Sequence, residues 1–355
     1  MDAPRDPRVK LRHIEACLTQ PVEYRKSTGL AHYDFLNEAV PELALAALDL
    51  TATLAGKPLR APLMIAPMTG GTARGLELNR RLAAVAEEFG LAFGVGSQRI
   101  ALEREECAAY FKVRDVAPNV PLFANFGAAQ LARGYDAGAA RRAVAMIGAD
   151  ALFVHFNAMQ EAVKGGDLDF RDVARNLAGL CRELATDGIP VFAREVCFGL
   201  TAATAARLVE CGVAGIDCAG AGGTSWSKVE AYCASTPDGR ALGLRFGEWG
   251  IPTSQSILNV RRATTTLPLI ACGGLRSGSD VAKAIALGAD VGAMARPFLM
   301  HAEQGIDALR AFVAEILGDL RICLFATGSA SVPELRGKVV HVANPVPDAG
   351  DEVAE

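Results

Sequence analysis

Short apolar runs alternate with amphipathic stretches along most of the chain. Several of these runs are apolar at nearly every position, which is typical of strands that are buried on both faces of a parallel sheet. We therefore predict strands at residues 62–66, 91–95, 121–125, 151–155, 190–196, 214–218, 268–272 and 290–295.

The stretches between these strands show the period of an α-helix. In the first of them, apolar side chains recur at intervals of three or four residues, and a glycine follows where a helix C-cap favours one. These residues are Leu78, Leu82, Val85, Phe89 and Gly90. The first four strands start about thirty residues apart, which is the usual spacing of a repeated strand and helix.

Eight strands that alternate with helices can close into a barrel or lie open in a doubly wound sheet. The first helix does not follow a Gly-x-Gly-x-x-Gly turn, and eight is the number at which such strands close, so the barrel is favoured. We predict a (β/α)8 TIM barrel at residues 61–343, an N-terminal extension at 1–60 and a loose acidic tail at 344–355. Residues 219–250 are predicted to form a long insertion after the sixth strand.

Composition excludes several classes of protein. The chain has 355 residues, a net charge of −4 and only 6% aromatic residues, so a nucleic-acid surface is not expected. No apolar run approaches the roughly 20 residues that cross a bilayer, and the first residues lack the apolar core of a signal peptide. The nine cysteines are scattered without a Cys-x-x-Cys pair, which favours a cytoplasmic location and disfavours a zinc site.

The loops after the seventh and eighth strands carry the strongest local signal. Gly273 and Gly274 precede a helix that starts near Ser277, and Ala295 and Arg296 follow the eighth strand. Glycines, free helix N–H groups and a neighbouring turn form the phosphate site that barrels of this kind often carry at their active-site end. A phosphorylated cofactor such as FMN is therefore expected, although the glycines could also serve only as turns.

The loop after the fourth strand carries a second polar group. Asn157 and Gln160 are neutral hydrogen-bonding side chains, and Glu161 is the one carboxylate well placed for Mg²⁺ binding or general acid–base work. His155, at the end of the strand, is also consistent with a structural role. No pair of nearby carboxylates, nucleophile elbow or Walker loop is found.

Longer motifs, taken together, indicate a family. They are PLMIAPMTGGT at 62–72, GVGSQR at 94–99, HFNAMQE at 155–161, GAGGTSWSKVE at 220–230 and WGIPT at 249–253, with shorter matches at 125–130, 166–170, 272–278 and 294–297. Over nearly its whole length, the chain resembles the type 2 isopentenyl diphosphate isomerases, which are FMN-dependent barrels. The combination of GGTSW with HxNxxQE is specific, whereas any single glycine motif would not be.

The resemblance implies an isomerase of isoprenoid biosynthesis that interconverts isopentenyl and dimethylallyl diphosphates by a 1,3-proton shift. It implies reduced FMN, NADPH or NADH as the reductant, and Mg²⁺ on the diphosphate, without net redox change. The reduced flavin would then relay the proton at the alkene. The resemblance also implies a homo-oligomer, either a tetramer or an octamer, and an N-terminal extension that forms part of the substrate site.

Carried over position by position, the resemblance assigns roles to particular residues. Gln160 would be the catalytic residue beside the alkene, and Glu161 would bind the metal ion. The residues that would hold FMN are Met68, Thr69, Gly70, Ser97, Asn125, Arg194, Thr224, Gly274, Arg276, Ala295 and Arg296. The residues that would bind the substrate are Lys10, His13, Arg99, His155, Asn157, Gln160 and Trp226, with Lys10 and His13 reaching in from a neighbouring subunit.

Four positions depart from the family pattern. Val9 stands where a basic residue is usual, Arg194 replaces a lysine beside the flavin, and Pro67 and Cys197 replace smaller residues near the flavin face. Ordinary sequence drift would account for them, and so would a changed prenyl diphosphate substrate or a changed reaction.

Two other functions remain open. An FMN-dependent oxidoreductase of the 2-hydroxy-acid oxidase kind would share the barrel and the phosphate site. It needs a histidine base after the sixth strand, where this chain has GAGGTSW at 220–226. A barrel that only senses a phosphorylated metabolite would have no use for Gln160 and Glu161.

Overall fold

Eight parallel strands form a closed barrel in the computed structural model, which describes residues 8–343. The strands of this part of the chain are β1 (Tyr33–Phe35), β2 (Ala52–Leu54), β3 (Lys57–Leu59), β4 (Leu63–Ile65), β5 (Ala92–Gly94), β6 (Leu122–Gly127), β7 (Ala151–Phe156), β8 (Val191–Glu195), β9 (Gly215–Asp217), β10 (Leu269–Cys272), β11 (Val291–Met294) and β12 (Val339–His341). Strands β4 to β11 form the barrel in chain order, and β11 pairs with β4 to close it. The eight predicted strands and the (β/α)8 barrel are confirmed.

Helices surround the barrel and connect its strands. Among residues 8–343 they are α1 (Arg8–Thr19), α2 (Ala73–Phe89), α3 (Arg99–Glu103), α4 (Ala128–Ala132), α5 (Ala137–Ile147), α6 (Ala158–Lys164), α7 (Val173–Thr186), α8 (Ala202–Glu210), α9 (Trp226–Cys233), α10 (Pro237–Arg245), α11 (Thr253–Ala263), α12 (Gly278–Ala286), α13 (Arg296–Gln304) and α14 (Ile306–Ala326). Helix α2 ends at Gly90, which has the left-handed conformation that glycine favours. The segment after β9, predicted as an insertion, carries α9 and α10.

The barrel interior is filled with apolar side chains. Three rings, those of Phe123, Phe153 and Phe192, pack against one another with centroids 4.5 to 6.0 Å apart. Leu54 and Leu59, from the β2–β3 hairpin, join the same cluster. The hairpin therefore covers one end of the barrel, and the opposite end remains for a binding site.

Two carboxylates that precede strands tie neighbouring strands together. Asp150, before β7, accepts from Leu122 N at 2.9 Å and from Arg114 at 2.7 Å. Asp290, before β11, accepts from Leu269 N at 2.8 Å and from Arg261 at 2.7 Å. The same arrangement thus occurs at the amino ends of β6–β7 and of β10–β11.

The segments outside the barrel pack against it. Strand β1 pairs with β12, so the beginning and end of the described chain are joined. The predicted acidic tail at 344–355 lies outside the described residues. Within residues 8–343, no helix is long and apolar enough to cross a membrane, and all nine cysteines are free thiols.

Candidate active site

Two connected clefts open at the carboxyl ends of the barrel strands. The wide cleft encloses about 1000 Å³ and the narrow cleft about 640 Å³, with their open mouths included. The two clefts form one continuous site because five residues line both of them: Pro67, Met68, Arg194, Val196 and Trp226.

The sequence-predicted residues divide between the two clefts. The wide cleft is also lined by Lys10, His13, Ser97, Arg99, Asn125, His155, Asn157, Gln160 and Glu161. The narrow cleft is also lined by Thr224, Gly274, Arg276, Ala295 and Arg296. Thr69 and Gly70 line neither of these two clefts, and a Cβ on Gly70 would collide with the ring of Phe111. The glycine identity of Gly70 therefore has a structural cause.

A hydrogen-bonded chain of amides and carboxylates forms one wall of the wide cleft. Asn157 Nδ2 donates to Gln160 Oε1 at 3.3 Å and to Glu161 Oε1 at 2.9 Å. Gln160 Nε2 donates to Glu230 Oε1 at 2.6 Å. All four side chains are buried, so the orientation of the Gln160 amide is fixed by a partner on each side.

Glu230 is a site residue that the sequence analysis did not single out. It follows Trp226 by four residues on α9, so the two side chains share a face of that helix. This spacing is the signal that could have identified it. Burial alone would raise the pKa of Glu230, but His13, Lys164 and the hydrogen bond from Gln160 together outweigh burial and hold that pKa below its ordinary value. Glu230 is therefore an ionised carboxylate behind Gln160.

Glu161 lines the wide cleft and has further contacts besides Asn157. Lys164 Nζ donates to Glu161 Oε1 at 2.6 Å, and Asp167 N donates to Glu161 Oε2 at 2.8 Å. Among residues 8–343, no group of three or more His, Cys, Asp or Glu side chains is placed to hold a metal ion alone. Glu161 thus offers a single carboxylate, which suits a Mg²⁺ ion that takes its other ligands from a substrate and water.

His155 lies near the end of β7 and lines the wide cleft. Its Nδ1 lies 2.8 Å from Asn125 Oδ1, and Asn125 Nδ2 donates to Val95 O at 3.1 Å. Burial, followed by the charge of Lys10, lowers the pKa of His155 to about 3. The imidazole is therefore neutral at physiological pH and acts as a hydrogen-bonding group.

Helix α1 lies across the mouth of the wide cleft. The His13 ring packs edge-on against Trp226 with centroids 5.3 Å apart, and His13 Nε2 lies 3.4 Å from Glu230 Oε1. Lys10 and Val9 line the same cleft. Within the single chain, α1 brings Lys10 and His13 to this cleft, and a contribution of these residues from a neighbouring subunit stays a prediction.

Two arginines meet one carboxylate in the narrow cleft. Arg276 lies 3.3 Å and Arg296 lies 3.1 Å from Glu23 Oε1. Arg296 Nε also donates to Cys17 O at 2.6 Å, so this guanidinium is held in place by α1. The pair offers converging donors to an oxyanion, which is what a phosphate requires. Glu23 is distant in sequence from both arginines, so no sequence pattern indicated that it lies in the narrow cleft.

Glycines bring the loops that follow β9 and β10 into direct backbone contact. A Cβ on Gly223 would meet Gly274 N, and a Cβ on Gly273 would meet the carbonyl oxygen of Gly220. Gly273 and Gly274 also have positive φ values of 103° and 81°. The two loops therefore form one wall of the narrow cleft.

The donors present fit a phosphorylated flavin. Thr69 Oγ1 is buried and has no hydrogen-bond partner among the described residues, beside a small cavity between α1 and the barrel. A buried hydroxyl of this kind is expected to have a partner, and a ligand atom can provide one. The arginine pair suits a phosphate, and the apolar residues Met68 and Val196 suit a flat ring.

Arg194 lies where the two clefts join. It forms a buried ion pair with Asp217, its register partner on β9, and its guanidinium stands 5.5 Å from the centre of the Phe153 ring. Burial raises the pKa of Asp217, although Arg194 opposes this shift. The Arg194 guanidinium is therefore held in one position by its neighbours.

Pro67 and Cys197, two of the four positions that depart from the family pattern, lie close to this junction. Cys197 Sγ accepts from Trp226 N at 3.3 Å, and Tyr24 OH donates to Trp249 O at 2.8 Å beside it. Pro67 packs against Gly94, where a Cβ would collide with the proline ring. Cys197 thus holds the backbone N–H of Trp226, one of the residues that line both clefts.

Comparisons with known proteins give the fold and the family. The family model of the FMN-dependent dehydrogenases matches residues 185–342. Two structures of the same variant of mandelate oxidase, one of them with an FMN adduct, have TM-scores of 0.60 and 0.62 at 18% identity. They cover 93% and 95% of this chain, which covers 91% and 99% of theirs, and they support the barrel fold.

Sequence relatives are much closer. An isopentenyl-diphosphate delta-isomerase from a Synechococcus species is 47% identical over 93% of this chain and 94% of its own length. Its counterpart from Xanthobacter autotrophicus is 46% identical over 95% of this chain and 98% of its own length. The chain belongs to the family of type 2, FMN-dependent isopentenyl-diphosphate delta-isomerases.

Proposed function

We propose that this chain interconverts isopentenyl and dimethylallyl diphosphates by a 1,3-proton shift. The observation that carries the proposal is the continuity of the two clefts. Gln160, which donates to the buried Glu230 behind it, lines the wide cleft, and this cleft is continuous with the narrow cleft, whose arginines suit a flavin phosphate. One continuous site therefore contains an amide–carboxylate pair suited to proton transfer, a cleft suited to FMN and a set of cationic side chains.

FMN would be held along the narrow cleft. Arg276, Arg296 and the glycine wall would bind its phosphate, and Thr69 would donate to or accept from another of its polar atoms. When bound in its reduced form, FMN supplies a group that exchanges a proton with the alkene carbons. Arg194 supplies the positive charge at the junction of the clefts.

The diphosphate would lie at the opposite wall of the wide cleft. Arg99, Lys164 and Lys10 supply positive charge there, and neutral His155 donates or accepts a hydrogen bond. Glu161 would hold Mg²⁺ together with the phosphate oxygens. Trp226 gives the five-carbon chain an apolar wall that excludes water.

Gln160 is the residue that faces the reacting carbons in this proposal. Its amide cannot rotate freely, since Asn157 holds the oxygen and Glu230 holds the nitrogen. The ionised Glu230 strengthens the polarisation of the Gln160 N–H bonds and can accept a proton at Oε1. His13, next to Glu230, can take up that proton and return it, so that the proton removed from one carbon of the substrate is matched by the proton added to another.

The test is an anaerobic assay of the FMN-loaded protein with isopentenyl diphosphate, Mg²⁺ and one equivalent of NADPH or NADH. We expect dimethylallyl diphosphate in large excess over the reductant, because an isomerisation returns the flavin unchanged. Stoichiometric loss of NADPH per product would instead identify an oxidoreductase. Absence of a stoichiometric yellow complex with FMN would contradict the flavin site.

Assembly and location are also proposals. We propose a homo-oligomer, either a tetramer or an octamer, because the chain resembles the type 2 isomerases over nearly its whole length. Light scattering of the FMN-loaded protein tests the number of subunits. Nine free thiols support a cytoplasmic location.

A further inference from the structure

Asp167 is a buried carboxylate that touches neither cleft but contacts several residues that do. Its side chain is 4% exposed and lies in the loop that follows α6. Oδ2 pairs with Arg99 and accepts from Gln130 Nε2 at 3.1 Å, and Oδ1 pairs with Arg133. Arg99 and Gln130 both line the wide cleft.

The backbone of the same residue reaches the proposed metal ligand. Asp167 N donates to Glu161 Oε2 at 2.8 Å, which leaves the other oxygen, Oε1, to Asn157 and Lys164. Asp167 therefore holds both Arg99 and Glu161. In the proposed function these are a cation that binds the diphosphate and the carboxylate that binds Mg²⁺, and the part of the wide cleft that they line is called the diphosphate wall below. Asp167 connects α3, α4 and α6, which are separate in sequence.

We propose that Asp167 is the positioning residue of the diphosphate wall: it orients Arg99 through its carboxylate and Glu161 through its backbone N–H. This rests on the proposed function, since it takes the ligand of this wall to be a diphosphate with Mg²⁺. Arg99 already donates to Glu103 Oε1 at 2.6 Å, so without the charge of Asp167 its guanidinium is held mainly by Glu103 and can adopt other rotamers. Asp167 thereby determines affinity for the diphosphate, and the proton shift at Gln160 proceeds without it.

The first measurement is direct binding of inorganic pyrophosphate with Mg²⁺ to the FMN-loaded protein, by calorimetry. Asp167→Asn keeps the shape and the backbone N–H but removes the charge, so we expect affinity to fall about tenfold or more. Asp169→Asn is the matched control, because it neutralises an exposed carboxylate two residues away that pairs with Arg171. Unchanged pyrophosphate affinity in Asp167→Asn would overturn the proposal.

The second measurement separates positioning from general damage. In the isomerase assay, Asp167→Asn should raise KM for the diphosphate by the same factor and leave kcat within about threefold of wild type. A double-mutant cycle with Arg99→Ala should show coupling, with Asp167→Asn costing little once Arg99 is gone. Equal losses in both backgrounds would mean that Asp167 acts through the fold and not through Arg99.

Two safeguards keep the outcomes distinct. If Asp167→Asn does not fold, Asp167→Glu keeps the charge and displaces the carboxylate by one methylene, and the same loss of pyrophosphate affinity is expected. A folded Asp167→Glu with wild-type affinity would contradict the proposal. If wild type binds pyrophosphate but isomerises nothing, the proposed function fails while the positioning role is still decided by the binding data.

Discussion

Gln160 and Glu161 are neighbours in sequence, yet their side chains have different partners in the wide cleft. Gln160 faces Glu230 and His13, a group suited to moving a proton. Glu161 faces Lys164 and the backbone of Asp167, a group suited to cations and anions. At the scale of single residues, chemistry and binding are therefore separable.

Substitutions at these two positions should have different kinetic effects. Gln160→Ala removes the amide at the reacting carbons, so we expect kcat to fall about 100-fold with little change in KM. Glu161→Gln removes a carboxylate ligand of a hard cation, so the Mg²⁺ concentration for half-maximal rate should rise at least about tenfold. Steady-state kinetics over a Mg²⁺ titration tests both. Wild-type kinetics in both variants would remove this loop from the active site.

Arg194 should control the reduction potential of bound FMN. A cation near the ring stabilises the anionic reduced form, and each pKa unit lost would correspond to about 1.4 kcal/mol. We expect Arg194→Lys to retain FMN and most activity, and Arg194→Ala to shift the midpoint potential to more negative values. A redox titration of wild type and both variants measures this.

Arg194→Ala also leaves Asp217 buried without its partner, which destabilises the protein by itself. The double variant Arg194→Ala with Asp217→Asn controls for this loss, because it removes both charges. An unchanged potential in Arg194→Ala would show that the guanidinium does not act on the ring.

At the scale of elements, the turn that follows β8 depends on a buried carboxyl group. Glu195 Oε2 accepts from Cys197 N at 2.7 Å and from Phe198 N at 2.6 Å. Burial raises the pKa of Glu195 from its ordinary value of 4.5 to about 8, although these N–H groups oppose the shift. This turn holds Cys197 at the junction of the clefts.

The raised pKa predicts a pH dependence of stability. Between about pH 4.5 and pH 8 the native protein binds a proton that the unfolded chain releases, so stability should fall as pH rises, by at most about 1.4 kcal/mol per pH unit. Glu195→Gln should remove this slope and keep both hydrogen bonds. Denaturant unfolding at several pH values, in wild type and variant, gives the difference. Parallel slopes in the two proteins would contradict the assignment.

Sequence patterns could predict the barrel strands because most of their positions are apolar, which leaves short apolar runs in the sequence. The same reasoning could not predict β1 and β12, which are three residues long, partly exposed and stabilised by each other. Glu23 and Asp167 were missed for a related reason. Their importance lies in partners that only the folded chain brings near, whereas Glu230 could have been found from its spacing to Trp226.

At the scale of the whole molecule, Asp150 and Asp290 connect neighbouring strands at the amino ends of the barrel strands, and substitutions there should affect stability alone. Asp150→Asn and Asp290→Asn each weaken a contact to a backbone N–H and an arginine, so each should lower the free energy of unfolding by about 1–3 kcal/mol. The two losses should add, because the two carboxylates connect different strand pairs.

Catalysis should be unaffected, since the clefts lie at the opposite ends of the strands. Denaturant unfolding and kcat/KM, measured on the same preparations, test both parts. Asp307→Asn serves as a control, because that carboxylate is 92% exposed and pairs only at the surface. A fall in kcat/KM in Asp150→Asn or Asp290→Asn would indicate that the amino and carboxyl ends of the barrel are coupled.

The glycine contacts between the loops after β9 and β10 also limit how the chain can evolve. Gly220 and Gly223 have ordinary backbone conformations, so alanine is excluded there only by the atoms opposite. Those atoms include main chain, which no substitution elsewhere can shorten. In a saturation library, we expect no other residue to be tolerated at Gly220 or Gly223, and no second-site substitution to restore activity to such variants. The neighbouring arginines, Arg276 and Arg296, should accept substitutions one at a time. The wall of the narrow cleft would then persist in descendants whose substrates have changed.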